Sequence, residues 1–318
     1  MYQTKFFTTR VAKRIFLLFI LCVALPIIIL AVVAYIQVRN HLFEQGKMRL
    51  RQETKAISVS IYERLLLMRI EMKINASRFT PRFSDKPPPD RIEMGRGFGG
   101  RMEAMALITT DGTRSIVKEI KTLPALNAAD REKLAGGQAL IRSVRDPSGR
   151  IDIIMLLQVE PGRTDGDILA ATPKVEHLWS AEVRRPPGSE MVVIDAQGQL
   201  LYTTFPKGSV PPIRNLEIMK HRHSGIGEWR QGDRVQISSH VSLFLESNFD
   251  HPSWFIGLYQ PREELLGAMS TFVFYFLACM FLALMILFFF AMYLVRNQLV
   301  PVDTLKNATE KISAGKLG

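Results

Sequence analysis

Cysteine is almost absent from this 318-residue chain: Cys22 and Cys279 are its only two, and each lies inside a long apolar run. The segment between those runs therefore has no disulfide, and a domain of that length buries enough surface to fold without covalent staples. Such a domain is compatible with an oxidising compartment. Both thiols are most simply small hydrophobes on apolar helices. Charge is the second thing missing. No Asp, Glu, Lys or Arg occurs from Ile15 to Val38, nor from Leu265 to Val295. A helix needs roughly 20 mostly apolar residues to cross the hydrocarbon core of a bilayer, and no other stretch of the chain qualifies. The first run exceeds the 7–15 apolar residues of a cleaved signal and no Ala-x-Ala site follows it, so it reads as an uncleaved anchor. Pro26 inside it is expected to kink the helix, because proline lacks the N–H that closes a helical turn.

The sequence also lacks the strings that carry enzyme chemistry. There is no Gly-x-Ser-x-Gly elbow, no phosphate loop ending in Lys-Ser/Thr and no His-Glu-x-x-His helix. Gly95-x-Gly97-x-x-Gly100 matches a dinucleotide fingerprint only as a string, since no strand precedes it and no helix follows. His221, Arg222 and His223, with His240 farther on, form the one histidine cluster, and such a group is more often a polar loop than a metal site. Trp179, Trp229 and Trp254 are candidates to line a pocket, although buried tryptophans ordinarily anchor a core. No catalytic residue, cofactor or metal is expected, and no individual ligand-contacting residue is named.

What is present begins with basic residues flanking the apolar runs. Lys5, Arg10, Lys13 and Arg14 precede the first without an acid; Arg296, Lys306, Lys311 and Lys316 follow the second, against Asp303 and Glu310. Lys and Arg near a span resist translocation, so both ends are expected in the cytoplasm and the middle outside. The net charge of +11 divides as +4 before the first run, +5 between the runs and +2 after the second. Membrane orientation accounts for much of it, and no nucleic-acid partner is implied.

From Val38 to about Phe79 there is no proline and one glycine, and Leu50, Ile57, Ile61, Leu65, Met68 and Met72 recur by threes, fours and a seven. That spacing predicts one long amphipathic helix, which can pack along the domain and also serve as a dimer stalk. Lys86 to Arg101 is a loop by composition, with Arg91, Arg96 and Arg101 on a solvated face. The pattern then becomes strand-like. Ala104–Thr109 and Ser115–Val117 flank Asp111-Gly112; Ala139–Val144 and Ile151–Val159 flank Asp146 to Gly149; Met191–Ile194 and Leu200–Thr203 flank Asp195 to Gly198. Asp with Gly supplies the positive φ of tight hairpins. Ile168–Thr172, Ile226–Arg230, Val235–Phe244 and Trp254–Tyr259 are further strands, and Lys174–Trp179 a short connecting helix. The strands group into two antiparallel sets with a boundary near Arg184 to Gly188.

A long helix leaving the membrane, then two small α/β modules, the second holding MVVIDAQGQLLYTT and ending in WFIGLYQPREELLG, resembles a double Cache sensor domain. The resemblance covers roughly Val38 to Gly267. It implies an α+β fold: a membrane-anchored long N-terminal helix and two PAS-like antiparallel-sheet modules, about 80–180 distal and 188–262 proximal, within an extracytoplasmic domain at 38–267. It also implies a small extracellular ligand, usually in the distal module. The Tyr…Arg-x-Trp-Tyr…Asp pattern of amino-acid-binding members is absent, so the sequence gives no support for an amino-acid ligand.

After spans at 15–37 and 270–295, residues 296–318 place Pro301, Val302, Leu305, Ala308, Ile312 and Gly315 at the spacing of one helical face and its stop. Directly following a span, this string resembles the first helix of a HAMP relay, which implies a homodimer and a cytoplasmic output domain outside this sequence. A membrane-surface tail is the alternative for such a helix. The expectation is thus an inner-membrane receptor that senses a small extracellular molecule and relays it inward, without enzymatic activity of its own. The rival is a two-span scaffold, such as a polysaccharide chain-length regulator, which shares the topology and needs no ligand.

Overall fold

Helix α1 spans Arg10–Ala76, 67 residues in one element. It contains both the charge-free run beginning at Ile15 and the helically spaced apolar series beginning at Leu50. Pro26 lies inside it. The structure, a computed structural model, describes residues 10–77, 100–146, 149–179, 185–206, 223–231, 234–265 and 267–294. The chain forms two compact units: Met1–Gly46 with Leu265–Gly318, and Lys47–Glu264.

In the first unit, the early part of α1 and helix α6 (Gly267–Leu294) are each long and apolar enough to cross a membrane. Neither apolar window is covered by protein. Leu30, Phe274 and Phe281 are among many large side chains left exposed there. Cys22 and Cys279 are exposed and unpaired.

In the second unit, α1 buries Leu50, Ile57, Ile61, Leu65, Met68 and Met72. All six are the residues whose spacing predicts the helix. The seven-residue gap in that series holds Thr54, also buried, whose Oγ1 donates to the Leu50 carbonyl oxygen at 2.6 Å. A hydroxyl satisfied by its own helix can occupy an apolar stripe without an orphaned donor.

Strands β1 (Met102–Thr109), β2 (Gly112–Ser115), β3 (Leu140–Arg145), β4 (Ile151–Gln158) and β5 (Ile168–Pro173) form an antiparallel sheet in the order β2-β1-β5-β4-β3. Strands β6 (Glu190–Ile194), β7 (Leu200–Thr203), β8 (Ser224–Gln231), β9 (Arg234–Leu243) and β10 (Trp254–Pro261) form a second in the order β7-β6-β10-β9-β8. The two orders are the same topology repeated: an edge hairpin, with the module's last strand beside its first. Short helices α2 (Ala128–Ala135), α3 (Val175–Trp179), α4 (Glu246–Phe249) and α5 (Arg262–Leu265) complete the described elements.

Both sheets are covered on both faces. In the first, Ala106, Ala170, Leu156 and Leu140 fall in register across four strands. The last three belong to a core shared with Leu134 of α2 and with Ile120, Leu123 and Leu126. One residue along, Met105, Ala171, Met155 and Ile141 align on the opposite face and are equally buried. This explains the near-continuous apolar run of β4, since a strand buried on both faces has no polar alternation to keep.

Two hairpin turns repeat one construction. The Asp146 N–H bonds to the Arg150 carbonyl and the Asp146 carboxylate accepts from the Arg150 N–H. Asp195 makes the same pair of bonds with Gln199. Gly149 and Gly198 close these turns at φ of +85° each. A side chain at such a φ is strained, so Gly198→Ala is expected to destabilise the protein by about 1 kcal/mol, measurable as a lower chemical denaturation midpoint. An unchanged midpoint would show that the turn relaxes freely.

The first hairpin departs from the sequence expectation. Its turn is Thr110-Asp111, with Thr109 paired to Gly112, and β2 runs Gly112–Ser115 rather than Ser115–Val117. Gly112 takes its positive φ as the first residue of the strand. Ile116 ends the pairing, its N–H bonded to the Met105 carbonyl. Helix α2 is an element that periodicity did not reveal; its signal is a capping box, Asn127 and Asp130 each accepting from the other's backbone N–H.

Candidate functional site

Within the Lys47–Glu264 unit, a cleft of about 440 Å³ opens where the first sheet, α3 and β7 meet. Its residues reach it from five places, one of them the end of β5 at Thr172 and Pro173. Arg145 ends β3, and Arg150 immediately precedes β4, whose second residue is Asp152, on either side of the Asp146 turn. Glu103 comes from the start of β1, Leu178 and Trp179 from α3, and Leu200 to Thr203 from β7. The walls are thus apolar and aromatic, with charge at the rim.

The rim charges are unequally matched. Lys118 Nζ donates to Glu103 at 2.8 Å, and this hydrogen bond holds the Glu103 carboxyl below its ordinary pKa. Arg150 pairs with Asp152 at 3.0 Å. Both acids therefore already have cations, whereas Arg145 has no ion-pair partner among the described residues.

Trp179 makes the aromatic wall. Its ring stacks on Tyr202 of β7, with centroids 5.6 Å apart at 16°, and meets Trp254 of β10 at 5.4 Å. It is therefore the packing joint between the connecting helix and the second sheet. The same helix is tied to α1, because Arg64 Nη1 donates to the His177 carbonyl at 2.8 Å. Tyr62 and Arg69 of α1 both hydrogen-bond Asn248 of α4, so one helix holds parts of both modules.

A second charged cluster lies elsewhere in this unit. Arg142 of β3 bonds Asp130 of α2 at 2.5 Å and Asp250, just after α4, at 3.0 Å; Lys133 also reaches Asp250 at 2.6 Å. Arg142 donates to the Asp250 carbonyl as well. Burial pushes the Asp250 carboxyl up, but the bonds from Lys133 and Arg142 outweigh it and hold the pKa below the ordinary value. Asp250 adopts φ of +45°, the one non-glycine residue at positive φ among those described. Sequence reasoning missed this cluster, since Asp250 lies more than a hundred residues from Lys133 and Arg142 and no local pattern links them.

Next to it, His251 is buried against Trp254, and burial lowers its pKa despite its hydrogen bond to the Pro252 carbonyl. A histidine whose folded pKa lies below its unfolded value takes up protons preferentially on unfolding. Its penalty is absent above about pH 6.5 and grows as pH falls from there toward the folded pKa. Thermal midpoints should therefore fall below pH 6.5 more steeply in the native protein than in His251→Gln. Parallel pH profiles would refute this assignment.

The sequence candidates are distributed unevenly. Pro301, Val302, Leu305, Ala308, Ile312 and Gly315 lie outside the described residues, as do Arg91, Gly95, Arg96, Gly97, His221 and Arg222. Arg101 forms an ion pair with Glu71 of α1, so it is not merely part of a solvated face. His223 sits 3.5 Å from the Ser242 hydroxyl and against Phe244, while His240 is buried in β9. Among the described residues no three metal-ligating side chains come together. Of the tryptophans, Trp254 is fully buried, Trp229 packs on the second sheet's core, and Trp179 alone lines the cleft.

Neither a family model nor a curated protein matches the sequence. Among solved structures, the ligand-binding domain of the Pseudomonas fluorescens chemoreceptor CtaA, in complex with L-isoleucine, is similar at 12% identity and a TM-score of 0.49, over 72% of this chain and 98% of that one. The ligand-binding domain of the Pseudomonas aeruginosa PAO1 amino acid chemoreceptor PctB, with L-Arg, gives 12% and 0.47 over 70% and 97%. That of the Campylobacter jejuni chemoreceptor Tlp3, with L-valine, gives 12% and 0.46 over 71% and 97%. The ligand in each case is a property of that protein.

Proposed function

We propose that this chain is the sensory part of a transmembrane receptor that binds a small extracellular molecule and reports it across the membrane. The double Cache-like domain occupies 38–267, with modules at about 80–180 and 188–262. The spans are 15–37 and 270–295, the middle is periplasmic and both termini are cytoplasmic. Residues 296–318 form the first helix of a HAMP relay through Pro301, Val302, Leu305, Ala308, Ile312 and Gly315. The receptor works as a homodimer and passes its signal to a cytoplasmic output domain.

The observation that carries this reading is that α1 is one helix from Arg10 to Ala76. Its apolar portion is long enough to span a bilayer, and its later portion is gripped by side chains of both sheet modules. A ligand that favours one packing of those modules acts on that helix directly, and a shift between two packings is how such relays switch. A coupling of about 1–3 kcal/mol gives a useful response.

The test is thermal unfolding of the full chain in detergent micelles against organic acids, amines, amino acids, sugars and nucleobases. A compound that binds only the native state, at 100 times its dissociation constant, adds about 2.7 kcal/mol and raises the midpoint. If no compound in the panel moves a cooperative melt, the ligand-free scaffold becomes the better reading.

A further inference from the structure

We infer that the cleft at the joint between the modules takes a flat organic carboxylate, with its anionic group on Arg145 and its body against Tyr202; this rests on the receptor reading above. A volume of about 440 Å³ falls within the range of small-molecule sites. The electrostatics select the sign of the ligand. Glu103 and Asp152 are each held by a cation of the protein, so neither remains to attract a cationic guest. Arg145 is left as a guanidinium with no ion pair among the described residues. Its planar fork matches a carboxylate with two parallel hydrogen bonds.

The aromatic wall selects the body. Tyr202 is only partly buried, Trp179 stacks on it almost parallel, and both line the cleft. A ring held in such a stack is a rigid flat surface, against which a planar ligand packs with little loss of side-chain freedom. The position also supplies an output. Trp179 belongs to α3, whose backbone is tied to α1 through Arg64. A guest pressing on Tyr202 and Trp179 therefore bears on the element fastened to the long helix.

The experiment is isothermal titration of the full chain in detergent micelles with benzoate and 4-hydroxyphenylacetate, alongside the neutral amides of both. Saturable binding is expected for the acids, with the amides at least about tenfold weaker, because they forfeit a charge-assisted pair. Arg145→Gln should weaken the acids by about tenfold, while Arg114→Gln, an exposed arginine that does not line the cleft, should leave them unchanged. Acids and amides binding alike, a change below twofold in Arg145→Gln, or no binding by either acid would each overturn the assignment. If amines or sugars raise the melting midpoint while neither acid binds, the carboxylate site falls and the receptor reading stands. If nothing in the broad panel raises it, the receptor reading falls too.

Discussion

Leu65→Ala is expected to cost about 4 kcal/mol of stability, toward the upper part of the range for deleting a fully buried leucine side chain. Leu65 is 0% exposed and lies midway along the buried stripe of α1 between Ile61 and Met68. Its neighbours there are held on both sides along the helix, so the site has little freedom to collapse around the lost atoms. Leu67, two residues on, is 48% exposed. Leu67→Ala should change stability by no more than about 0.5 kcal/mol, and it controls for helix propensity because both variants gain alanine in the same helix. Thermal melts of the full chain in detergent should therefore separate the two by on the order of 10 °C. Equal midpoints would mean that the stripe does not bear on the folded domain, and the coupling proposed for α1 would lose its support.

That stripe was legible because helical burial repeats along the sequence. A side chain at Leu50, Ile57 or Met72 faces inward for the same local reason as Leu65, and a reader of spacing alone can find them. The hairpins around Asp146 and Asp195 were legible for another local reason: each turn is built from its own Asp side chain and its own glycine. The equality of the two strand orders was only half visible. Periodicity places the strands but says nothing of which neighbour each one takes, and β1 finds β5 some sixty residues away.

The cleft was less legible still. Arg145 and Tyr202 belong to different sheets and come to one cleft only through the packing of the two modules, in which Trp179 of α3 stacks on Tyr202. Trp179 stood among the pocket candidates by residue type alone, with nothing in its neighbours to separate it from Trp254. The helix at Ala128–Ala135 shows a different failure. Its eight residues are too few for a period to register, and its capping box uses Asn and Asp where the more familiar pairing is Ser or Thr with Glu.

The cluster around Arg142 gives the second large expected effect. Arg142→Met should destabilise the protein by about 3 kcal/mol, because removing one partner of a largely buried ion network leaves the others uncompensated. Side-chain exposures of 25% for Arg142, 9% for Asp130 and 19% for Asp250 put the group mostly out of water. Asp250 would retain Lys133, and Asp130 its backbone partner at Asn127, which keeps the loss below that of a wholly stranded charge. Adding Asp130→Asn and Asp250→Asn to Arg142→Met should recover part of the loss, since the stranded acids are then neutral. The pH dependence carries the sign. Asp250 has a folded pKa below its unfolded value, so its contribution is fully present above about pH 4 and is lost as pH falls through the folded pKa. The gap between the native protein and Arg142→Met should therefore narrow below pH 4. A gap that persists unchanged at pH 3 would show that Arg142 contributes through the packing of its aliphatic stem, and the network would then be a consequence of the module contact, not a cause of it.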